Sequence, residues 1–143
     1  MNRDKLKAEL IRDEEKRLHA YRDSVGLYTI GVGHLLGETP RLMDITEEEC
    51  ENLLEQDIDK ALKVSRRWIL SFDSLDDVRQ RALANMAFNL GNRLGGFEHM
   101  LMAIEAKDWA LAATSALASK WAEQVGERAV RLAKIIETGK DAV

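Results

Sequence analysis

One cysteine and one proline in 143 residues set the first limits. A lone Cys50 excludes an intramolecular disulfide framework and a multi-cysteine zinc site. Long apolar runs are missing too. The longest are short stretches such as Trp109-Ala110-Leu111-Ala112-Ala113, whereas a membrane-spanning helix needs about 20 apolar residues. No membrane insertion is expected. The opening Met1-Asn2-Arg3-Asp4-Lys5-Leu6 has no apolar core, so no signal peptide is expected. Positive charge is not in excess: 21 Lys and Arg face 25 Asp and Glu, for a net charge of −4. That balance speaks against a dedicated nucleic-acid binder, which carries a basic face. Internal repeats and low-complexity stretches are absent as well.

What is present is ordinary for a folded protein, with 45% hydrophobic and 32% charged residues. The length fits one domain, or two small lobes sharing a core. Scarce proline and few β-branched residues make most of the chain read as helix. Leu6, Leu10 and Ile11 recur at helical spacing over 3–13. Residues 18–32 read as a β-hairpin, with Ser24-Val25-Gly26 as its turn. Period-2 alternation puts His19, Tyr21 and Asp23 on one face, and Thr29 opposite Tyr28 and Ile30. Residues 37–40 read as loop. Thr46 followed by Glu49 marks a capping box, opening a helix that runs to about 67. Asp73 or Ser74 opens the next, and Gly91, Gly95 and Gly96 break it. Helices at about 97–105, 108–118 and 126–137 follow. The fold class is therefore α+β, mainly α. A small α/β portion (about 14–45) leads through a long helix (about 46–67) to a helical portion (about 70–143), all within one domain, 1–143.

Chemistry concentrates between Asp13 and His34. Glu14 ends the first helix, Asp23 stands at the hairpin turn, and Thr29 follows on the return strand. Two carboxylates on different elements suit glycosidic cleavage, with one protonated acid for the leaving oxygen and one ionised base or nucleophile. Spacing alone also fits a plainer picture, in which Asp13, Glu14 and Glu15 form a solvated helix end and Asp23 serves the turn.

Three blocks carry a resemblance. The first runs Glu14-Glu15-Lys16-Arg17-Leu18-His19-Ala20-Tyr21-Arg22-Asp23, then Gly26, then Tyr28-Thr29-Ile30-Gly31-Val32-Gly33-His34. The second is Asp73-Ser74-Leu75-Asp76 with Val78-Arg79, through Asn85-Met86-Ala87-Phe88-Asn89-Leu90-Gly91. The third is Trp109, Ala112-Ala113, Trp121, Arg128 and Arg131. Together they resemble the phage lysozymes of glycoside hydrolase family 24, T-even type, over nearly the whole chain.

The resemblance implies a two-lobed lysozyme-like fold, with the N-terminal helix belonging to the helical lobe. It also implies cleavage of peptidoglycan between N-acetylmuramic acid and N-acetylglucosamine. Glu14 matches the general acid, Asp23 the carboxylate that positions or activates water, and Thr29 a residue that helps hold that water. Net inversion and the absence of a metal or cofactor follow from the same likeness. Arg128 matches an arginine on the acid's side of the cleft; the plainer alternative is a surface arginine. His34 and Asp57 match a structural ion pair, although a histidine after Gly-x-Gly also reads as a base. Leu35, Phe88, Asn89, Met100 and Ser115 match substrate-binding positions, for which core packing is an equal alternative.

Two departures stand out. Glu15 occupies a position where the family carries glycine, which would suit a left-handed helix end. The stretch from His34 to Asp57 is short, so the small lobe is expected to lack a strand or short helix. Neither half of the chain is cationic: residues 1–70 hold 12 basic and 15 acidic side chains, residues 71–143 hold 9 and 10. Attraction to an anionic wall is expected to be weak. The expected setting is a monomeric endolysin that lyses its host. It accumulates in the host cytoplasm and depends on a holin to reach the periplasmic wall. The competing reading is an inactive wall-binding module of lysozyme fold. A lytic transglycosylase is a variant within the enzyme class, and Asp23 favours hydrolysis over it.

Overall fold

The computed structural model describes residues 1–39 and 43–142. Among them are seven α-helices and a three-stranded antiparallel sheet, so the chain is a mainly-α α+β protein. The helices are α1 (Arg3–Glu14), α2 (Glu47–Trp68), α3 (Asp77–Leu90), α4 (Glu98–Glu105), α5 (Trp109–Leu117), α6 (Lys120–Val125) and α7 (Glu127–Thr138). The strands are β1 (Lys16–Arg22), β2 (Tyr28–Val32) and β3 (His34–Gly37), paired in chain order. By packing the chain divides into two compact units, 3–59 and 1–2 with 60–143.

In the first unit, α1 is fastened to the N-terminal half of α2 by a ladder of ion pairs. Arg3 meets Glu55 and Asp59, and Lys7 meets Glu51 and Glu55. Hydrogen bonds from Lys7 and Arg3 hold the Glu55 carboxyl below its ordinary pKa. By packing, α1 falls in this unit with the sheet. Leu6, Leu10, Ile30, Val32, Ile45, Cys50, Leu54 and Ile58 are its buried apolar residues. The capping box forms as the sequence indicates. Glu49 N donates to Thr46 Oγ1 at 3.1 Å, and Thr46 N donates to Glu49 Oε1 at 3.0 Å.

The hairpin is less regular than period-2 alternation implies. Arg17 pairs with Gly31 but Tyr21 pairs with Thr29, so β1 carries extra residues against β2. The bulged segment finds other partners: Ala20 N donates to Met43 O and Ile45 N to Leu18 O. His19 meets Asp44, 2.6 Å away, at the surface. A third strand, β3, was not expected. Four residues are too few for periodicity to register, and half of the loop expected at 37–40 is a bend at 38–39. Gly37 itself ends β3, and Pro40 lies outside the described residues.

In the second unit, α3 begins later than the sequence suggests. Ser74 Oγ donates back to Ser71 O, and Phe72–Ser74 form a 3-10 turn. Asp76 is the N-cap, accepting from Arg79 N at 3.1 Å. A short helix, α6, was also missed. Ser119 caps it, and Gly126 at φ 58 separates it from α7. Trp121 on α6 is buried and meets Phe97 edge-on, with ring centroids 6.1 Å apart. No described helix is long and apolar enough to cross a membrane.

Candidate active site

Glu14 is the last residue of α1 and is half-buried. The chain then turns through Glu15, whose φ of 63° is left-handed. An L side chain there costs about 1 kcal/mol against glycine. Glu15 is exposed, and its carboxylate receives Arg17 Nη2 at 3.0 Å. With both partners more than half exposed, this pair adds little stability. Glu15→Gly is therefore expected to raise Tm by about 3 °C. Calorimetry that found no rise would show that the strain is relieved elsewhere.

The turn sends the chain into β1, which ends at Arg22, one residue before Asp23. Asp23 Oδ1 accepts two backbone amides, Val25 N at 3.0 Å and Leu27 N at 2.8 Å. Asp23 N in turn donates to Leu27 O at 2.8 Å. This is an aspartate-stabilised turn, and it fixes the orientation of the carboxylate. Gly26, at φ 88°, lets Arg22 fold its guanidinium over the loop. Arg22, Asp23, Ser24, Val25 and Gly26 line an open cavity of about 400 Å³.

Thr29 lies on β2 and is the ladder partner of both Tyr21 and Leu35. It is only 5% exposed. Its Oγ1 is buried without a hydrogen-bond partner among the described residues. Leaving a buried hydroxyl unpaired costs about 1–3 kcal/mol, so the position calls for a water or ligand atom. One turn onward, Gly33 lies directly beneath the Glu14 side chain. His34 Nδ1 is 2.7 Å from Asp57 Oδ2, which ties β3 to α2. Leu35 is 55% exposed.

The second unit holds the remaining expected positions. Arg128 is half-buried on α7, and its Nε and Nη2 both donate to Asn85 Oδ1, at 3.0 and 2.8 Å. It is thus no bare surface arginine. Asn89 Oδ1 accepts Trp121 Nε1 at 2.7 Å, so that oxygen serves the helical core. Phe88 beside it is half-buried. Met100 is buried, yet it lines a cavity of about 420 Å³ together with Ser115, Arg93, Phe97 and Ser119. Met100 and Ser115 were each matched to a substrate-binding position, whereas Arg93 and Ser119, which fall in no periodic pattern, were not. Gly33, within the Tyr28–His34 block, carries no role that the sequence assigns. Among the described residues no group of three His, Cys, Asp or Glu side chains is placed to hold a metal ion.

The phage lysozyme family model matches residues 12–135. A probable T4-type lysozyme of Dictyostelium discoideum is 34% identical over 160 aligned residues, covering 94% of this chain and 94% of that protein. The endolysin of Salmonella phage P22 is 32% identical, covering 76% and 75%. The pre-baseplate central spike protein Gp5 of Enterobacteria phage T4 is 35% identical, covering 91% of this chain but 27% of its own length.

Proposed function

The chain belongs to the phage lysozyme family, and from that premise we propose that it hydrolyses the β-1,4 bond between N-acetylmuramic acid and N-acetylglucosamine in peptidoglycan. Glu14 is the general acid. It gives its proton to the glycosidic oxygen as the bond to the anomeric carbon breaks, so the leaving sugar departs as a neutral alcohol. Asp23 accepts the proton of the attacking water through Oδ2. Its other oxygen is held by the Val25 and Leu27 amides. Thr29 orients that water. Attack on the face opposite the leaving group gives inversion and a new reducing end.

The observation that carries this reading is the buried Thr29 hydroxyl, which has no hydrogen-bond partner among the described residues. A hydrolase that places a water needs such a donor–acceptor, fixed and otherwise uncommitted. In the second unit, the Met100–Ser115 cavity is assigned to saccharide contacts, with Met100 packing on a sugar face and Ser115 hydrogen-bonding. Likeness to a phage endolysin supports a role in lysing the host, with passage to the wall through a membrane opened by a holin.

The test is product analysis of purified peptidoglycan treated with the parent and with Glu14→Gln. The expected result is new reducing N-acetylmuramic acid ends from the parent and a loss of about a thousandfold or more in the variant. Anhydro ends would establish transglycosylation instead. No product from folded parent protein would establish the wall-binding reading.

A further inference from the structure

We propose that Gly33 is a positioning residue for Glu14, its bare Cα being the seat on which the carboxyl rests; the inference rests on Glu14 being the general acid. The observation is steric. A Cβ on Gly33 would stand 2.6 Å from Glu14 Oε2, 2.9 Å from Cδ and 3.1 Å from Cγ. The carboxyl and the methylene before it therefore lie across the glycine. Carbon and oxygen do not approach that closely without one of them moving.

The Glu14 backbone cannot yield easily. It closes α1, whose Leu6 and Leu10 are fully buried, and Glu15 N is bonded to Ile11 O at 2.9 Å. The Glu14 side chain is the softer element, so a methyl group at position 33 swings the carboxyl off its seat. An error of about 1 Å in a catalytic group costs about a hundredfold in rate. The proton donor would remain present, but it would be displaced from the glycosidic oxygen.

Gly33 also has a left-handed backbone, φ 63°, so alanine there is strained whatever it touches. Strand β2, which ends one residue before Gly33, supplies the control. Gly31 has φ 65°, and a Cβ on it would meet only Cys50 Sγ at 3.5 Å and Ile45 Cδ1 at 3.6 Å. Those are ordinary contacts. Gly31→Ala therefore carries the same backbone strain without touching Glu14.

The experiment measures kcat, KM and Tm on soluble peptidoglycan fragments for Gly33→Ala and Gly31→Ala, each alone and combined with Glu14→Asp. Both single variants should lose a few degrees of Tm. Gly33→Ala should lose kcat about a hundredfold with KM nearly unchanged. Gly31→Ala should keep kcat within about threefold, because its methyl group meets no catalytic atom. Aspartate is one methylene shorter and withdraws from the methyl group. In the Glu14→Asp background, Gly33→Ala should therefore cost less than about fivefold.

If Gly33→Ala fails to fold, relief of the clash predicts that the double variant with Glu14→Asp does fold. Failure of both overturns the proposal. Equal kcat losses in the two glycine variants overturn it as well, since strain alone would then suffice. So does a folded Gly33→Ala with full kcat. Full turnover by Glu14→Gln in the same assay would overturn the general-acid reading itself, which keeps the two failures distinct.

Discussion

Asp23→Asn is expected to melt with the parent and to lose turnover by about a thousandfold or more. The separation arises because Asp23 has two jobs on two oxygens. Oδ1 closes the β1–β2 turn by accepting the Val25 and Leu27 amides. Asparagine keeps a carbonyl oxygen in the same place, and asparagine is itself a favoured turn residue. The turn, and with it the pairing of Arg22 with Tyr28, should survive. What disappears is the negative charge and the ability to take a proton from water. Asp23→Ala removes both jobs. It should lose turnover equally and also lower Tm, by about 3 °C for each kcal/mol of turn stability. Peptidoglycan turnover and Tm measured on the same three samples decide it. An Asp23→Asn protein that turns over normally would leave Asp23 a turn residue only, which is the plain reading that spacing alone allows.

That ambiguity marks the boundary of what one-dimensional pattern can reveal. The long amphipathic elements were legible. The Thr46–Glu49 box starts α2 where it should, because capping is a local exchange between four residues. The left-handed backbone at Glu15 was legible only through likeness to a family that has glycine there. The bulge in β1 was not legible at all. Its cause is Met43–Ile45, about 25 positions downstream, competing for the Leu18–Ala20 backbone. No window over 16–22 contains that information. β3 failed for a related reason, since its four residues pair with β2 by register set at a tight turn. The start of α3 depended on which of Asp73, Ser74 and Asp76 won the cap. The Ser74 hydroxyl bonding back to Ser71 decided it.

The site shows the same division. Residue types and order suggested two carboxylates and a hydroxyl. Nothing in the order suggested that Asp23 is orientated by its own turn, or that the Thr29 hydroxyl is buried without a partner among the described residues. Both are properties of three-dimensional accounting, in which each polar atom must find a partner. Gly33 is the sharpest case. As a letter it is one of nine glycines. The Glu14 atoms above it distinguish it from Gly31, whose φ is nearly the same.

The largest stability effect is expected at Arg79, well away from the carboxylates in sequence. Its guanidinium ends α7. Nε donates to Ile136 O at 2.7 Å and Nη2 to Glu137 O at 3.1 Å. A cation there also opposes the negative end of the helix dipole. The same plane lies over the Trp109 ring, 4.1 Å from its centroid, and Nη1 reaches Asp76, the N-cap of α3, at 3.1 Å. Gly139 closes the arrangement, since a Cβ on it would stand 2.9 Å from Nη1. One side chain thus joins the start of α3, the ring of α5 and the end of α7. Arg79→Ala leaves two carbonyls and a ring face without their partner, and these losses are not independent. A total of about 3 kcal/mol follows from charged hydrogen bonds and a partly buried cation–π contact. For a chain of this length that is about 10 °C in Tm. Arg79→Lys should recover less than half, because an ammonium cannot span two carbonyls while stacking on indole. The kcat of Arg79→Ala measured well below its Tm should match the parent. A Tm within 2–3 °C of the parent, which is about 1 kcal/mol, would show that water replaces the guanidinium at the end of α7 at little cost.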